Sequence, residues 1–301
     1  MSPTDPASAA PEARTLAVDA ADRALVRVTD LHELADLQAA SRLFDTVWGR
    51  STEAGPIMAP EALTALAHAG GQVTGAFRNG ELLGATAAFV GLSEDGAVHL
   101  HSHVTGVLPG AERAGVGLAL KLHQRAWCLQ RGIDRVRWTF DPLVRRNAAF
   151  NLITLGAQAV AYHEDVYGPM ADERNAGLPT DRLVAEWDLL GPRVRAALSG
   201  RPAEPDVAAV RRAGAVAVVD VGEDGAPVIT PSEAPRRLVR VPDDIEGLRV
   251  GEPATARRWA ETVREALGGA MTAGMRVTGF SREGWYLVAG GGRVQELSEQ
   301  P

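Results

Sequence analysis

The chain is poor in cysteine, in lysine and in long apolar runs. Its 301 residues contain one cysteine, Cys128, which excludes an intrachain disulfide and any zinc site built from several cysteines. A chain without disulfides fits a reducing compartment. Because Trp127 and Leu129 flank Cys128, we interpret it as a buried core thiol. We therefore expect a cytoplasmic protein.

The chain also has a net negative charge and a single lysine. The formal net charge is −7, and Lys121 is the only lysine among many arginines, which we interpret as a bias of composition. The acidic residues are scattered, and no basic stripe runs along the chain. This distribution argues against a nucleic-acid groove and against attraction to an anionic membrane surface. We expect neither nucleic acid nor a membrane as a partner.

Long apolar runs are missing as well. No segment approaches the roughly 18 apolar residues that a membrane-spanning helix requires. The first twenty residues are rich in alanine and proline and lack the apolar region of a signal peptide. We therefore predict that residues 1–22 form a disordered tail.

The length of the chain predicts about two domains. We place the first at residues 23–190, a Pro/Gly/Arg-rich linker at 191–206 and a smaller α+β unit at 207–301. The predicted class is α+β, with a mixed sheet flanked by helices in the first domain. Asn79 and Gly80 indicate a type I′ hairpin, and Asp30 can cap the first helix.

Apolar periodicity predicts the positions of the elements. In the first domain, strands are predicted at 25–30, 72–77, 81–92, 98–107, 135–140, 158–167 and 182–187, and helices at 31–48, 61–69, 116–130 and 147–155. In the second, strands are predicted at 216–221, 227–230, 237–241, 275–280 and 285–289, and a helix at 255–273.

The segment VTGVLPGAERAGVG, residues 104–117, carries the most information about function. An apolar strand ends at Pro109, a glycine-bearing loop follows, and Gly115 and Gly117 open a helix. Unpaired backbone N–H groups and the positive end of a helix dipole therefore meet at one point. Such a point binds an anion, and a pyrophosphate fits it best.

In this order of elements, residues 25–190 resemble the GNAT superfamily of acyl-coenzyme A-dependent N-acyltransferases, in which the pyrophosphate loop lies between a strand and a helix. The resemblance also extends to a less characterised branch of predicted GNAT acetyltransferases. The strings that carry it are HSHVTGV, LKLHQRAW, WTFDPLVRRNAAFNL, LGAQAVAY, YGPM, LPTDRLVAEW, VPDDIEGL, RRWAETVREAL and WYLV. The resemblance implies a GNAT-like sheet with two splayed parallel strands and acetyl-CoA as co-substrate.

The resemblance also implies which residues hold the coenzyme. The N–H groups of Arg113, Ala114, Gly115, Val116 and Gly117 would bind the pyrophosphate, and the pantetheine arm would follow Thr105, Gly106 and Val107, with Asn147 giving a further amide contact.

Two residues depart from the family pattern. Glu112 stands where the common pattern Q/R-x-x-G-x-G/A has glutamine or arginine, and Leu152 stands where many members have the tyrosine that protonates the departing thiolate.

The catalytic candidates follow from the chemistry of acyl transfer, which requires a base for the amine and a proton for the thiolate. His99, His101 and His103 alternate along one strand and so share a face. His103 is our preferred base, because it is the closest of the three to the splayed strand end; Glu94 and Asp141 are further candidates. Three histidines on one face could also hold a metal, but we favour solvated or satisfied side chains and predict no metal site.

Asp141 ends its strand and could instead orient a histidine or bind the amine. Tyr162 and Tyr167 are the candidates for the acid, since they follow the helix that flanks the thiolate. Each of them could also serve only in packing or strand termination.

The leading hypothesis is acetyl transfer from acetyl-CoA to an amine of a small molecule by direct attack. Cys128 is a poor candidate for a nucleophile because it lies in the middle of a helix among apolar residues, without a paired base. Two alternatives stay open: a catalytically degenerate GNAT-fold module that binds acyl-CoA or regulates, and hydrolysis or decarboxylation of an acyl-CoA. The C-terminal strands could close the cleft or form the surface of a homodimer.

Overall fold

The computed structural model describes residues 5–50, 55–93, 95–168 and 178–290. The chain divides into two compact units. The first comprises the described residues up to 138 together with 186–194, and the second comprises 139–168, 178–185 and the residues from 195 onward. The predicted boundaries at 23–190, 191–206 and 207–301 stay a prediction; the helix Pro192–Leu198 lies within the segment predicted as a linker.

The elements are as follows. The helices are α1 (Pro6–Arg23), α2 (Leu34–Trp48), α3 (Pro60–His68), α4 (Val116–Leu129), α5 (Arg145–Ala149), α6 (Pro192–Leu198), α7 (Val207–Arg212), α8 (Ile245–Gly251), α9 (Pro253–Val263) and α10 (Gly269–Thr272). The strands are β1 (Arg27–Asp30), β2 (Gln72–Arg78), β3 (Glu81–Leu92), β4 (Val98–Val107), β5 (Arg135–Phe140), β6 (Gln158–His163), β7 (Arg182–Asp188), β8 (Val216–Val221), β9 (Pro227–Ile229), β10 (Arg236–Arg240), β11 (Arg276–Ser281) and β12 (Trp285–Ala289).

The predicted α+β class is confirmed. A mixed seven-stranded sheet has the order β1-β2-β3-β4-β5-β7-β6, and a second, five-stranded sheet has the order β11-β12-β10-β8-β9. β1 to β4 form an antiparallel meander, and β4 pairs with β5 in parallel. The helix α4 connects these two parallel neighbours, as a crossover requires.

The hairpin between β2 and β3 is also confirmed. Asn79 and Gly80 have φ of 52° and 85°, the two left-handed conformations of a type I′ turn. This turn places Arg78 opposite Glu81 and Phe77 opposite Leu82, and a bulge before Phe77 then shifts the register so that Gln72 lies opposite Ala88.

Helices cover both faces of the meander. A Cβ added at Gly84 would lie 3.0 Å from Val116 of α4, and one added at Gly106 would lie 3.0 Å from Trp48 of α2. Since Gly84 and Gly106 are on adjacent strands and face opposite ways, the sheet lies between α2 and α4. Leu37, Leu43, Phe44 and Val47 of α2 form much of the core on their side.

The prediction of a disordered tail at residues 1–22 is wrong, because α1 covers Pro6–Arg23 and packs against α4. Asp5 caps the helix, and the side chains that α1 buries are alanines: Ala9, Ala10, Ala13, Ala17, Ala20 and Ala21. Alanine has the highest helix propensity, and its small side chain lets two helices approach closely. In this segment the alanine-rich composition forms a packing face and does not indicate disorder.

Three further predictions are corrected. Glu33, not Asp30, occupies the N-cap of α2, because the Asp30 carboxylate accepts hydrogen bonds from Thr74 and His123. The helix predicted at 147–155 begins earlier, at Arg145, and ends in a π-helical turn at Phe150–Thr154. Tyr167 lies outside β6, which ends at His163.

The second unit contains the five-stranded sheet. β10 is at its centre, antiparallel to β12 and parallel to β8. The helix predicted at 255–273 is divided into α9, a π-helical turn at Arg264–Gly268 and α10. Within the described ranges, no helix combines the length and apolar character needed to cross a membrane.

Candidate functional site

The loop from β4 to α4 has the backbone of an anion site. A single 3₁₀ turn, Glu112–Ala114, leads into Gly115, whose φ of 82° is the left-handed conformation that glycine adopts without strain. Gly115 occupies the N-cap of α4, and the first hydrogen bond of the helix runs from Ala119 N–H to its carbonyl. In the described part of the chain, the N–H groups of Val116, Gly117 and Leu118 have no acceptor. They point out of a 14-residue helix at its positive end.

Glu112 is turned back into the loop. Its carboxylate accepts the N–H of Gly110 at 2.7 Å, and its side chain is exposed. The carboxylate therefore closes the loop before Gly115 and replaces the long polar side chain of the usual pattern. Arg113 is exposed beside it.

β4 is irregular where it approaches this loop. Ser102 and Val104 lie opposite the adjacent residues Ala88 and Ala87 of β3, so His103 is the extra residue of a β-bulge. On the other edge of β4, the described ladder to β5 joins Leu100 to Val136 and His101 to Arg137, although β4 continues to Val107. A parallel ladder that stops this early is what the expected splay of the two strands requires.

The residues proposed for the pantetheine arm lie beyond this point. Thr105 makes a 2.8 Å hydrogen bond with Thr86 through its hydroxyl, and Val107 lies opposite Gly84. Gly106 faces α2, where Trp48 and Val47 leave little room for a Cβ. A Cβ at position 106 would therefore require Trp48 or Val47 to shift by a few tenths of an ångström.

The histidines of β4 form a row together with an aromatic ring. The ring centroids of His101 and His103 are 6.0 Å apart, and Phe89 of β3 lies 4.9 Å from the first and 6.1 Å from the second. His99 makes a 3.2 Å hydrogen bond with Ser93 through Nδ1. No cluster of three or more potential metal ligands is found in the described residues.

The imidazoles of this row all have a pKa below the usual value of a histidine. Burial is the largest cause that lowers the pKa of each of them. The pKa of His101 falls to about 4, because the charges of His103, His99 and Lys121 add to the effect of burial. An uncharged imidazole can accept a proton, as a general base must. Glu94, another candidate base, lies outside the described residues.

Sequence reasoning missed Lys121. This residue of α4 is 4% exposed, and its Nζ donates to Ser102 Oγ at 2.8 Å and to Gln124 Oε1 at 3.1 Å. Burial lowers its pKa to about 7. The available signal was that the only lysine stands one turn after Gly117, between the apolar residues Leu120 and Leu122.

The second unit holds the other proposed site residues. Asp141 accepts the N–H of Leu143 at 2.8 Å and pairs with Arg249 at 2.5 Å. Both oxygens of its carboxylate are therefore engaged. Asn147 is exposed on α5.

The two tyrosines differ in what holds their hydroxyls. Tyr162 donates to Asp181 at 2.7 Å, and burial, followed by this hydrogen bond, raises its pKa well above its usual value. Tyr167 is 45% exposed, and its hydroxyl lies 3.2 Å from Thr139 Oγ1. Tyr167 therefore has the more accessible proton.

Asp181 joins Tyr162 to a charged partner. Arg264 donates to this carboxylate through Nε at 2.8 Å and through a second guanidinium nitrogen. Although burial by itself raises the pKa of the Asp181 carboxyl, the hydrogen bonds from Arg264 and Tyr162 outweigh it and hold the pKa below its usual value.

Asp181→Asn is expected to lower the free energy of unfolding by about 2 kcal/mol at neutral pH, because it removes the charge that pairs with Arg264 and replaces one of the two acceptor oxygens by an NH2 donor. Urea unfolding measures this loss. The difference from the wild type should shrink as the pH falls through the lowered pKa of Asp181, since protonation removes the same charge. Glu164 also pairs with Arg264, at 3.6 Å, but is 63% exposed in its side chain. Glu164→Gln is therefore the matched control, with an expected change below about 0.5 kcal/mol; equal losses in both variants would contradict this assignment.

Comparisons with known proteins give fold-level similarities. No family model matches the chain, and no curated protein matches it. Among solved structures, the ribosomal-protein-S18-alanine N-acetyltransferase of Escherichia coli is similar over 55% of this chain and 95% of its own, with 16% identity and a TM-score of 0.42. Naa50 of Arabidopsis thaliana, solved with the bisubstrate analogue CoA-Ac-MVNAL, is similar over 54% of this chain and 97% of its own, with 17% identity and a TM-score of 0.40.

An N-acetyltransferase of Staphylococcus aureus Mu50 is similar over 55% of this chain and 99% of its own, with 13% identity and a TM-score of 0.43. Identities and TM-scores of this size do not define an activity for this chain.

Proposed function

We propose that this chain is an acyl-CoA-dependent N-acyltransferase that transfers an acetyl group from acetyl-CoA to an amine of a small molecule by direct attack. The observation that carries the proposal is the β4–loop–α4 segment, in which Gly115 aligns the unpaired N–H groups of Val116 and Gly117 directly after a strand whose parallel ladder ends early. The resemblance of residues 25–190 to the GNAT superfamily supports it.

In this proposal, the N–H groups of Arg113 and of Gly115 to Gly117 hold the pyrophosphate of the coenzyme. They are charge-assisted donors, and the left-handed Gly115 brings the backbone close to the phosphates. The predicted contribution of Ala114 is corrected, because its N–H already donates to the Ala111 carbonyl in the 3₁₀ turn. The backbone of Thr105 to Val107 would bond the pantetheine amides, and Asn147 would add a side-chain contact. The coenzyme supplies an activated thioester, and the chain supplies its position.

Acyl transfer requires that one proton is removed from the attacking amine and that one proton is supplied to the departing thiolate. His103 would accept the proton of the attacking amine, since its imidazole is uncharged and the bulge directs it differently from its neighbours. Tyr167 would give a proton to the departing thiolate. Tyr162 is the alternative acid, but it already donates to Asp181. Asp141, bound to Arg249, would orient the site and not act as the base.

A second candidate function is a degenerate acyl-CoA-binding or regulatory module. Two observations favour it: Leu152, at the place of the usual tyrosine acid, is only 2% exposed, and Glu112 brings a carboxylate close to the expected pyrophosphate. Such a module would bind acetyl-CoA and release no thiol.

Three further proposals concern the acceptor, the cellular compartment and the assembly. A small-molecule amine is the proposed acceptor, the proposed compartment is the cytoplasm, and a homodimer is the proposed assembly. Sedimentation of the purified chain tests the last of these.

Calorimetric titration with acetyl-CoA tests the first requirement of the proposal. We expect saturable 1:1 binding, and a stabilisation of about 2.7 kcal/mol when the ligand is about 100-fold above Kd. A folded protein with no heat of binding and no stabilisation by acetyl-CoA would contradict the proposed transferase and would favour a degenerate module that binds another ligand.

Replacing the proposed base should slow turnover. His103→Gln keeps a polar side chain but cannot accept a proton near neutral pH, so kcat is expected to fall about 100-fold while acetyl-CoA binding is unchanged. Steady-state kinetics and the same titration measure both quantities. His99→Gln is the matched control on the same strand, and a loss as large in this control would show that His103 has no special role.

A further inference from the structure

The only lysine of the chain is fixed inside the first unit. Lys121 Nζ donates to Ser102 and to Gln124, and it lies 4.2 Å from the centroid of the Trp138 ring. An ammonium group has three protons, so two oxygen acceptors and one aromatic face account for all of them. The Lys121 side chain is therefore held in one defined position by these three contacts.

That position is where the ladder between β4 and β5 ends. Its last pair is His101 with Arg137, and the next residues along the two strands are Ser102 and Trp138. Lys121 contacts both of these residues. Ser102 is also the residue just before His103, the extra residue of the bulge.

The surroundings of the amine carry little charge. Cys128 of α4 and His101 of β4 are the titratable groups that interact with it electrostatically. Asp30 of β1 is engaged by Thr74 and His123. Gln72 of β2 is neutral and accepts a hydrogen bond from Gln124, and the side chains that α1 buries are alanines where it packs against α4. Burial therefore makes the amine easy to deprotonate, and its pKa falls to about 7.

An apolar side chain of the same length would cost less free energy to bury at position 121. Burying an amine costs free energy that methionine would not cost, and buried charges replaced by apolar isosteres often leave a protein as stable or more so. Stability alone does not account for a lysine at this position.

We propose that Lys121 is a positioning residue for the histidine row: by holding Ser102 it fixes the bulge that contains His103. The inference rests on the proposed function, in which His103 is the base. A bulge redirects one side chain, and its anchoring residue sets how firmly it does so.

Nuclear magnetic resonance of the histidine rings tests the proposal without any turnover. In Lys121→Met, removal of the charge should raise the pKa of His101 slightly, and loss of the anchor should move the ring resonances of His103. Ser102→Ala removes the anchor and keeps the charge, so it should move the His103 resonances and leave the pKa of His101 unchanged. The exposed His32 and His68 are internal references, and Leu122→Met is a control for a conservative change in α4.

Unchanged His103 resonances in a folded Lys121→Met would overturn the proposal. With an active wild type, kcat in Lys121→Met should fall about tenfold with an unchanged KM for acetyl-CoA. An inactive wild type would count against the proposed function, and the spectroscopic result would still decide whether Lys121 positions the row.

Discussion

Gly117→Val is expected to abolish acetyl-CoA binding at concentrations where the wild type saturates. Gly117 lies in the first turn of α4, whose N–H groups are unpaired, and a branched side chain there would stand between these groups and a phosphate. Loss of two charge-assisted hydrogen bonds at about 2 kcal/mol each corresponds to binding weaker by about 1,000-fold. Calorimetry and thermal shift measure this loss.

A helix glycine remote from the loop provides the control. Gly269 lies in the first turn of α10 with helical φ of −58°, and a Cβ there meets nothing within 4 Å. Gly269→Val should therefore bind acetyl-CoA as the wild type does, with both variants folded. Saturable binding by Gly117→Val at wild-type affinity would contradict the proposed pyrophosphate site.

Lys121→Met is expected to remove a large pH dependence of stability. The pKa of Lys121 falls from 10.5 to about 7 on folding, so at acid and neutral pH the native state must bury a charge that the unfolded chain keeps in water. The full cost corresponds to about 5 kcal/mol. Because the unfolded state binds more protons between these two pKa values, the free energy of unfolding rises with pH in that window.

Urea unfolding at pH 6 and pH 9 measures this effect. The wild type should gain about 3 kcal/mol relative to Lys121→Met between these values, because the other groups titrate alike in both proteins and cancel. The single lysine also gives one labelled resonance, whose midpoint reports its pKa directly. Parallel pH profiles for the two proteins, or a midpoint near 10.5, would contradict the assignment.

The backbone around the site could be predicted because local chemistry determines it. β4 and β5 have the predicted bounds, α4 begins at the predicted Val116, and the Asn79–Gly80 turn has the predicted form. Strand alternation, helix periodicity and glycine at a left-handed position act within a few residues of the chain.

The side-chain partners could not be predicted in this way. Asp141 and Arg249 are 108 residues apart in sequence, and Asp181 and Arg264 are 83 residues apart. No periodicity relates such residues, so the sequence alone left Asp141 as a candidate for catalysis and did not identify the arginine partner of either carboxylate. The bulge at His103 likewise depends on how β4 pairs with β3, which the sequence of β4 alone does not specify.

Alanine-rich composition misled the sequence reasoning at α1 for a related reason. Composition alone does not distinguish a solvated tail from a helix whose alanine face packs against another helix. The contact with α4 decides between them, and α4 lies about 100 residues further along the chain.

Release of the coenzyme thiol from acetyl-CoA, followed with a thiol reagent across a panel of small amines, tests the central claim most directly. The account predicts release that depends on the amine and equals the amount of acetylated amine formed, and that is lost in Gly117→Val. Release without any amine would indicate hydrolysis, and a protein that binds acetyl-CoA but releases no thiol with any amine would contradict the proposed transferase.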